Sequence, residues 1–420
     1  MKRSVDMLQK SRHALLLFLA ALAALSTVGC IGWVEGTVAV PESVGTEAVG
    51  VTTFSVTDAA RDRRLAVEAW YPATKTTLGR EVYEVKAAGM AVARLRSALG
   101  AVRDATPDRA DGPRPVFMLS HGAGSTRFGN VTFAEVLASH GYIVAAPDHA
   151  GHTTADKVGG IDDDDRARSA MDRPIDLSRV LDELARRNDS GDTIFGGQVD
   201  MSRVAVAGHS FGGRTALAMV GARFDGRRQA AECRDGRVDR RCRALPVFGE
   251  APYRYRDARV KAAFLIAPAG FAFYRADGVR HVDAPVLVVG AERDETTPYV
   301  EQHQKIYASL DGERHMLTLP NAGHLTATDI CRVVNSIGGL AKAFGGARAQ
   351  DGCRDGDLPA DVALDVVAET AVAFFAHYLG GRGMRTEDRL AALLDPAAVA
   401  QRVATVPAPS SSSPFDVAGR

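Results

Sequence analysis

The chain has 420 residues, 46% of them hydrophobic, with 41 Gly and only 6% aromatic residues, a composition that supports a sizeable core and excludes collagen-like or globally disordered classes. Lys+Arg and Asp+Glu balance at 51 each, so no global field favours nucleic acid, an anionic membrane or a strongly charged substrate, and a small neutral ligand suits the balance. Length alone leaves open one large unit or two average domains of roughly 100–200 residues.

Residues 1–29 read as a signal peptide: Lys2, Arg3, Lys10 and Arg12 precede an apolar run from Ala14 to Leu25, then small residues. The run is shorter than the ~20 residues of a spanning helix. Gly29 before Cys30 resembles a bacterial lipobox, with Thr27 where that pattern usually has Leu. Cys30 is therefore the expected lipidation site of an exported, membrane-anchored lipoprotein, the alternative being ordinary secretion. A linker over 30–49 follows.

Export permits disulfides. The four remaining cysteines allow three connectivities, and short loops favour Cys233 with Cys242 and Cys331 with Cys353. Their spacings lack C-x-x-C pairs, so no metal site is expected.

Residues 50–58 and 64–71 alternate apolar and polar side chains, which predicts an antiparallel hairpin. Residues 78–102 carry helical spacing and are expected to form a helical insertion over the site, closed by the Pro/Asp/Gly cluster at 106–113. From Pro115 short unbroken apolar runs alternate with amphipathic helices, the pattern of a parallel sheet covered on both faces. The expected strands are 116–119, 142–146, 204–207, 262–266, 286–289 and 316–319. The expected helices are 131–140, 175–187, 212–221, 299–310 and 362–378. Residues 74–112 and 223–259 are insertions, the second pinned by Cys233 and Cys242 and placed to lid a pocket. The main domain runs over 50–380. A C-terminal extension over 381–420 is partly disordered, its Pro/Ser-rich tail beginning at Thr405.

Gly208-His209-Ser210-Phe211-Gly212 follows a strand and opens a helix, the context of a nucleophile elbow. Ser210 is the expected nucleophile. A serine hydroxyl needs a base, and His324 lies on the loop after the last predicted strand. The base needs a carboxylate; Asp294, just after strand 286–289, is chosen, with Glu292 and Glu295 as neighbouring alternatives. The oxyanion calls for preset N–H donors, assigned to Ala123 in Ser120-His121-Gly122-Ala123-Gly124 and to Phe211. His121 is expected to shape its loop. Asp162–Asp165 reads as a solvated loop rather than a cation site, and Asp148, His149 and His152 as loop structure near a strand end, the alternative being that they line the pocket.

The ordered set W-Y-P-A (Trp70 to Ala73), L-S-H-G-A-G (Leu119 to Gly124), A-A-P-D-H (Ala145 to His149), R-P-I-D-L-S-R-V-L-D-E-L (Arg173 to Leu184), G-H-S-F-G-G (Gly208 to Gly213) and A-G-H (Ala322 to His324) resembles the bacterial dienelactone-hydrolase-like proteins related to platelet-activating-factor acetylhydrolase. The resemblance spans roughly Gly50 to Leu379 and implies Ser210, His324 and the same oxyanion donors. The acetylhydrolases place their acid after the preceding strand, where this chain has Ile266-Ala267-Pro268 and no carboxylate, which leaves Asp294. Dienelactone hydrolases use cysteine at the elbow, so Ser210 argues against that substrate. The fold expected is α/β, an α/β-hydrolase with a doubly wound, mostly parallel sheet. The expected activity is serine carboxylic-ester hydrolysis of small or short-acyl, including lipid, esters through an acyl-enzyme, without a cofactor. An acyltransferase, an amidase or a non-catalytic exported binding protein are the alternatives. No nucleic-acid partner is expected, and membrane contact only through the lipid on Cys30.

Overall fold

The computed structural model describes residues 41–75, 80–87, 90–234, 242, 252–337, 350–380 and 386–404. Residues 1–29, expected as a signal peptide, Cys30 and the Pro/Ser tail lie outside the described residues.

Strands β1 (Ala48–Asp58) and β2 (Arg63–Ala73) form the opening hairpin, registered antiparallel along their whole length. Asp62 takes the left-handed conformation at the turn, φ 49°, where Asp is among the residues that tolerate it. The helical insertion expected over 78–102 is contradicted. Strands β3 (Val82–Ala87) and β4 (Met90–Arg96) pair there as a second hairpin, followed by the short β5 (Val102–Arg103). Alanines lend this stretch a helical appearance, but the side chains that bury, Tyr83 on one strand and Ala93 and Leu95 on the other, keep a period of two. Tyr83 anchors the hairpin: its hydroxyl accepts from Trp70 Nε1 at 2.9 Å and donates to Glu135 at 2.7 Å.

The α/β alternation follows: β6 (Arg114–Ser120), α1 (Val131–Ser139), β7 (Ile143–Pro147), the short α2 (Thr154–Gly159), the long α3 (Asp163–Asp189), β8 (Val199–His209) and α4 (Phe211–Met219). The second insertion holds β9 (Arg223–Asp225), α5 (Gly226–Arg234) and β10 (Pro252–Arg254), with β9 and β10 paired. Then come β11 (Val260–Ile266), α6 (Phe271–Val279), β12 (Val286–Ala291), a π-turn over Val300–Gln304 leading into α7 (Lys305–Ser309), and β13 (Arg314–Leu319). Helices α8 (Ile330–Ile337), α9 (Ala360–Leu379), α10 (Thr386–Leu394) and α11 (Pro396–Ala404) complete the described chain. The last two of these helices lie in the C-terminal extension, ahead of the tail that begins at Thr405. Asp162–Asp165, expected as a loop, starts α3: Asp162 accepts from Asp165 N–H and Asp165 accepts from Asp162 N–H, a capping box.

Nine strands form one sheet in the order β13-β12-β11-β8-β6-β7-β2-β1-β5. The six from β7 to β13 in that row run parallel, and the opening hairpin adds antiparallel at β7. Alternate residues feed two cores. Val116, Met118, Val204 and Val206 meet Leu177, Val180 and Leu181 of α3 on one face. Phe117, Leu119, Ala205 and Phe264 meet Val136 of α1 and Phe374 and Phe375 of α9 on the other. Burial on both faces explains the continuous apolar runs of the central strands. α9 is long and apolar enough to cross a bilayer, yet it is mostly buried against this sheet. Such a doubly wound sheet is the α/β-hydrolase fold expected from the motifs, and it places the ends of β6, β8, β12 and β13 along one edge.

Candidate active site

Ser210 joins β8 to α4 with φ 56° and ψ −115°, a left-handed conformation that a non-glycine residue holds at a cost of about 1–3 kcal/mol. The glycines around it are sterically obligatory. A Cβ on Gly208 meets the Gly212 carbonyl at 2.2 Å, and one on Gly212 meets Ser120 O at 1.9 Å. Strand, helix and the β6 loop therefore touch through backbone alone.

His324, five residues beyond β13, presents Nε2 to Ser210 Oγ at 2.8 Å, and its Nδ1–H donates to Asp294 Oδ2 at 2.8 Å. The structure thus brings Ser210, His324 and Asp294 together in one buried row, each less than a tenth exposed. Asp294 also accepts from the N–H groups of Thr296 and Thr297 and from Thr297 Oγ1. Burial pushes this carboxyl up, but the His324 hydrogen bond and charge and the Thr297 N–H outweigh it, so it lies below the usual carboxylate range. Glu292 is exposed and Glu295 pairs with Arg354 at 2.6 Å. Neither of these alternatives reaches His324.

Three further residues stand behind this row, His303 and Asp351 outside any sequence motif and His209 within the elbow motif. His303, held neutral by burial with its pKa pushed down to about 4, donates from Nε2 to Thr297 Oγ1 at 3.1 Å. Asp351 accepts from His324 N–H at 3.1 Å with one oxygen and from Glu295 N–H and Thr296 Oγ1 with the other. It therefore braces the loops of acid and base together, and the disulfide Cys331–Cys353 pins its own loop. His209, beside Ser210, donates from Nε2 to His324 O at 2.8 Å.

The two expected oxyanion donors flank Ser210. A Cβ placed on Gly122 falls 3.5 Å from Ser210 Cβ, so the His121–Gly124 loop overhangs the elbow. Neither Ala123 N–H nor Phe211 N–H finds a backbone acceptor among the described residues. His121 shapes this loop: Nδ1–H donates to Gly122 O at 2.7 Å, and Nε2 accepts from His149 N–H at 3.1 Å. Behind it lies a second Ser–His–Asp series, which takes in His149, one of the residues expected as loop structure near a strand end. Ser120 Oγ donates to His149 Nε2 at 3.0 Å, and His149 Nδ1–H donates to Asp176 Oδ2 at 3.0 Å. All three are fully buried, and Arg61 and Arg63 clamp Asp176, so this series holds the loop rather than facing solvent. Asp148 pairs with Arg127.

The disulfide candidates are paired as expected, Cys233 with Cys242 and Cys331 with Cys353. Among the described residues no cluster of His, Cys, Asp and Glu could hold a metal ion. A cavity of about 250 Å³ under the second insertion, lined by Phe224, Gln229, Phe273 and Tyr274 among others, does not include Ser210.

Over residues 189–396 the chain matches the family model described as Platelet-activating factor acetylhydrolase, isoform II, and over 83–225 that of Chlorophyllase. The chain has the α/β-hydrolase fold and is similar to the platelet-activating factor acetylhydrolases. Platelet-activating factor acetylhydrolase of Cavia porcellus is 22% identical over 298 residues, covering 63% of this chain and 58% of that protein. Its counterpart in Canis lupus familiaris is 23% identical over 312 residues, covering 66% and 60%. The chain thus spans about three fifths of these relatives. A solved ferulic acid esterase from Streptomyces cinnamoneus shares 26% identity at a TM-score of 0.57, over 86% of this chain and 97% of that one. In this α/β-hydrolase the carboxylate facing the histidine follows β12, while β11 is followed by Ala267, whose carbonyl lies 3.2 Å from Thr297 Oγ1.

Proposed function

We propose that the protein is a serine carboxylic-ester hydrolase. The observation that carries this reading is the continuous relay from Ser210 Oγ through His324 to Asp294, at 2.8 Å in each step. His324 Nε2 takes the Ser210 proton as the hydroxyl attacks the ester carbonyl, while Asp294 holds the tautomer and stabilises the imidazolium. The tetrahedral oxyanion is received by Ala123 and Phe211 N–H. His324 then returns the proton to the leaving alcohol, and a water activated by the same imidazole releases the acid.

The names of the relatives, an acetylhydrolase and a ferulic acid esterase, support small-molecule esters, and the resemblance in motifs favours short acyl groups, including those of lipids. Two disulfides fit an exported protein; a signal peptide over 1–29 and lipid on Cys30 remain part of the proposal. Hydrolysis of p-nitrophenyl esters from acetate to palmitate tests the reading. The wild-type protein is expected to cleave the short members, with Ser210→Ala slower by at least about 10³-fold. Equal rates for the two proteins refute it.

A further inference from the structure

Beside Ser210 lies a buried patch of positive charge that meets no acid. The ring of Phe211 sits between two guanidiniums, with Arg214 Cζ 3.5 Å and Arg173 Cζ 4.7 Å from its centroid. The imidazole of His152 closes a third side, edge to face at 4.6 Å. Arg173 and His152 are fully buried. Arg173 spends Nη1 on His121 O and Nη2 on Gly122 O. That leaves its Nε, the Nε and Nη2 of Arg214 and both ring nitrogens of His152 buried with no hydrogen-bond partner. The acids nearest Arg173 in sequence, Asp172 and Asp176, are already held by Arg61 and Arg63, at 3.0 and 3.2 Å for Asp172 and 2.8 Å each for Asp176. Arg214 is partly exposed as a residue, so the patch opens toward solvent through it.

Burial lowers the Arg214 pKa only to about 10, so the group is charged at neutral pH. Burial, then the charge of Arg173, pushes His152 down to about 2, leaving a neutral ring with one donor. A buried cation with no anion beside it is destabilising. Such a group beside a reacting serine is explained when the ligand brings the missing anion. The zero net charge of the chain describes the whole surface and does not set this local field.

We propose that the ester taken at Ser210 carries a carboxylate, which docks on Arg214 with Arg173 and His152 around the ring of Phe211. The inference rests on the reading of Ser210 as nucleophile. The substrate class is then a half-ester of a dicarboxylic acid, or an ester whose alcohol part bears the carboxylate.

The test is pH-stat hydrolysis of two matched pairs, monoethyl adipate against ethyl hexanoate and 4-acetoxybenzoate against 4-acetoxybenzamide, by the wild-type, Arg214→Gln and Ser210→Ala proteins. In the wild type the charged member of one pair is expected to exceed its neutral partner in kcat/KM by about tenfold or more, and the pair that responds tells which side of the ester holds the carboxylate. In Arg214→Gln that ratio falls toward one. A second measurement needs no variant: adipate is expected to inhibit hydrolysis of the neutral ester competitively, and adipamide is not. Ratios near one in both wild-type pairs, a preference for the neutral esters, a ratio unchanged in Arg214→Gln, or inhibition by adipamide equal to that by adipate overturn the inference. If Ser210→Ala matches the wild type, the nucleophile itself is wrong and the inference falls with it. Ser210-dependent hydrolysis without charge preference sinks the carboxylate alone.

Discussion

Asp294 shows how much rests on single side chains. Its two oxygens accept from Thr296 N–H, Thr297 N–H, Thr297 Oγ1 and His324 Nδ1–H, so an amide at this position both loses the charge and presents a donor to the imidazole. Asp294→Asn is expected to lower kcat by about 10³–10⁴-fold with KM little altered, by analogy with the tautomer fault in serine proteases; steady-state kinetics on a short ester measures it. Ser210, His324 and Asp294 were readable in the sequence because each follows a run of apolar strand residues, and strand ends in such a sheet share an edge. Thr297, His303 and Asp351 were not readable. They act through loop convergence, and nothing in the sequence near Asp351 says that its carboxylate meets His324 N–H, 27 residues earlier.

Elements explain why the glycines and the second disulfide matter. Gly212 lets α4 touch the end of β6, where an added Cβ falls 1.9 Å from Ser120 O. Gly212→Ala is expected to destabilise by about 1–3 kcal/mol and to lose esterase activity in the protein that still folds, as read by urea denaturation and turnover together. The Cys331–Cys353 bridge closes a 22-residue separation, a cross-link worth roughly 3 kcal/mol on the chain-entropy model, and it pins the loop of Asp351. Cys331→Ser/Cys353→Ser is therefore expected to cost more activity than Cys233→Ser/Cys242→Ser, whose bridge lies in the insertion. Equal losses in the two pairs contradict that role for the Asp351 loop. The six parallel strands and their helices were readable from burial on both faces, whereas the hairpin of β3 and β4 was not. Its two strands turn one set of small or apolar residues inward, and a string of alanines satisfies a period of two as easily as 3.6.

The whole molecule holds several neutral histidines in its interior. Burial pushes His149 and His303 down to about 4 and His209 to about 3, below the unfolded value near 6.5. Between these values the unfolded chain binds more protons, so the stability they contribute is present above about pH 6.5 and is lost as pH falls toward 4. Carboxylates such as Asp58, held at about 2 by the Arg61 and Arg179 hydrogen bonds against the pull of burial, lose their contribution only below about pH 4. Melting temperature is accordingly expected to decline already between pH 7 and pH 5, and a plateau down to pH 4 contradicts the buried neutral histidines. The central claim concerns chemistry at one serine. Rapid mixing of the protein with excess p-nitrophenyl acetate, followed by intact-mass and peptide analysis, tests it most directly: the account predicts a burst of about one nitrophenolate per chain, with the acetyl group on the peptide containing Ser210 and neither burst nor adduct in Ser210→Ala. An adduct on another residue, or a burst that survives Ser210→Ala, contradicts it.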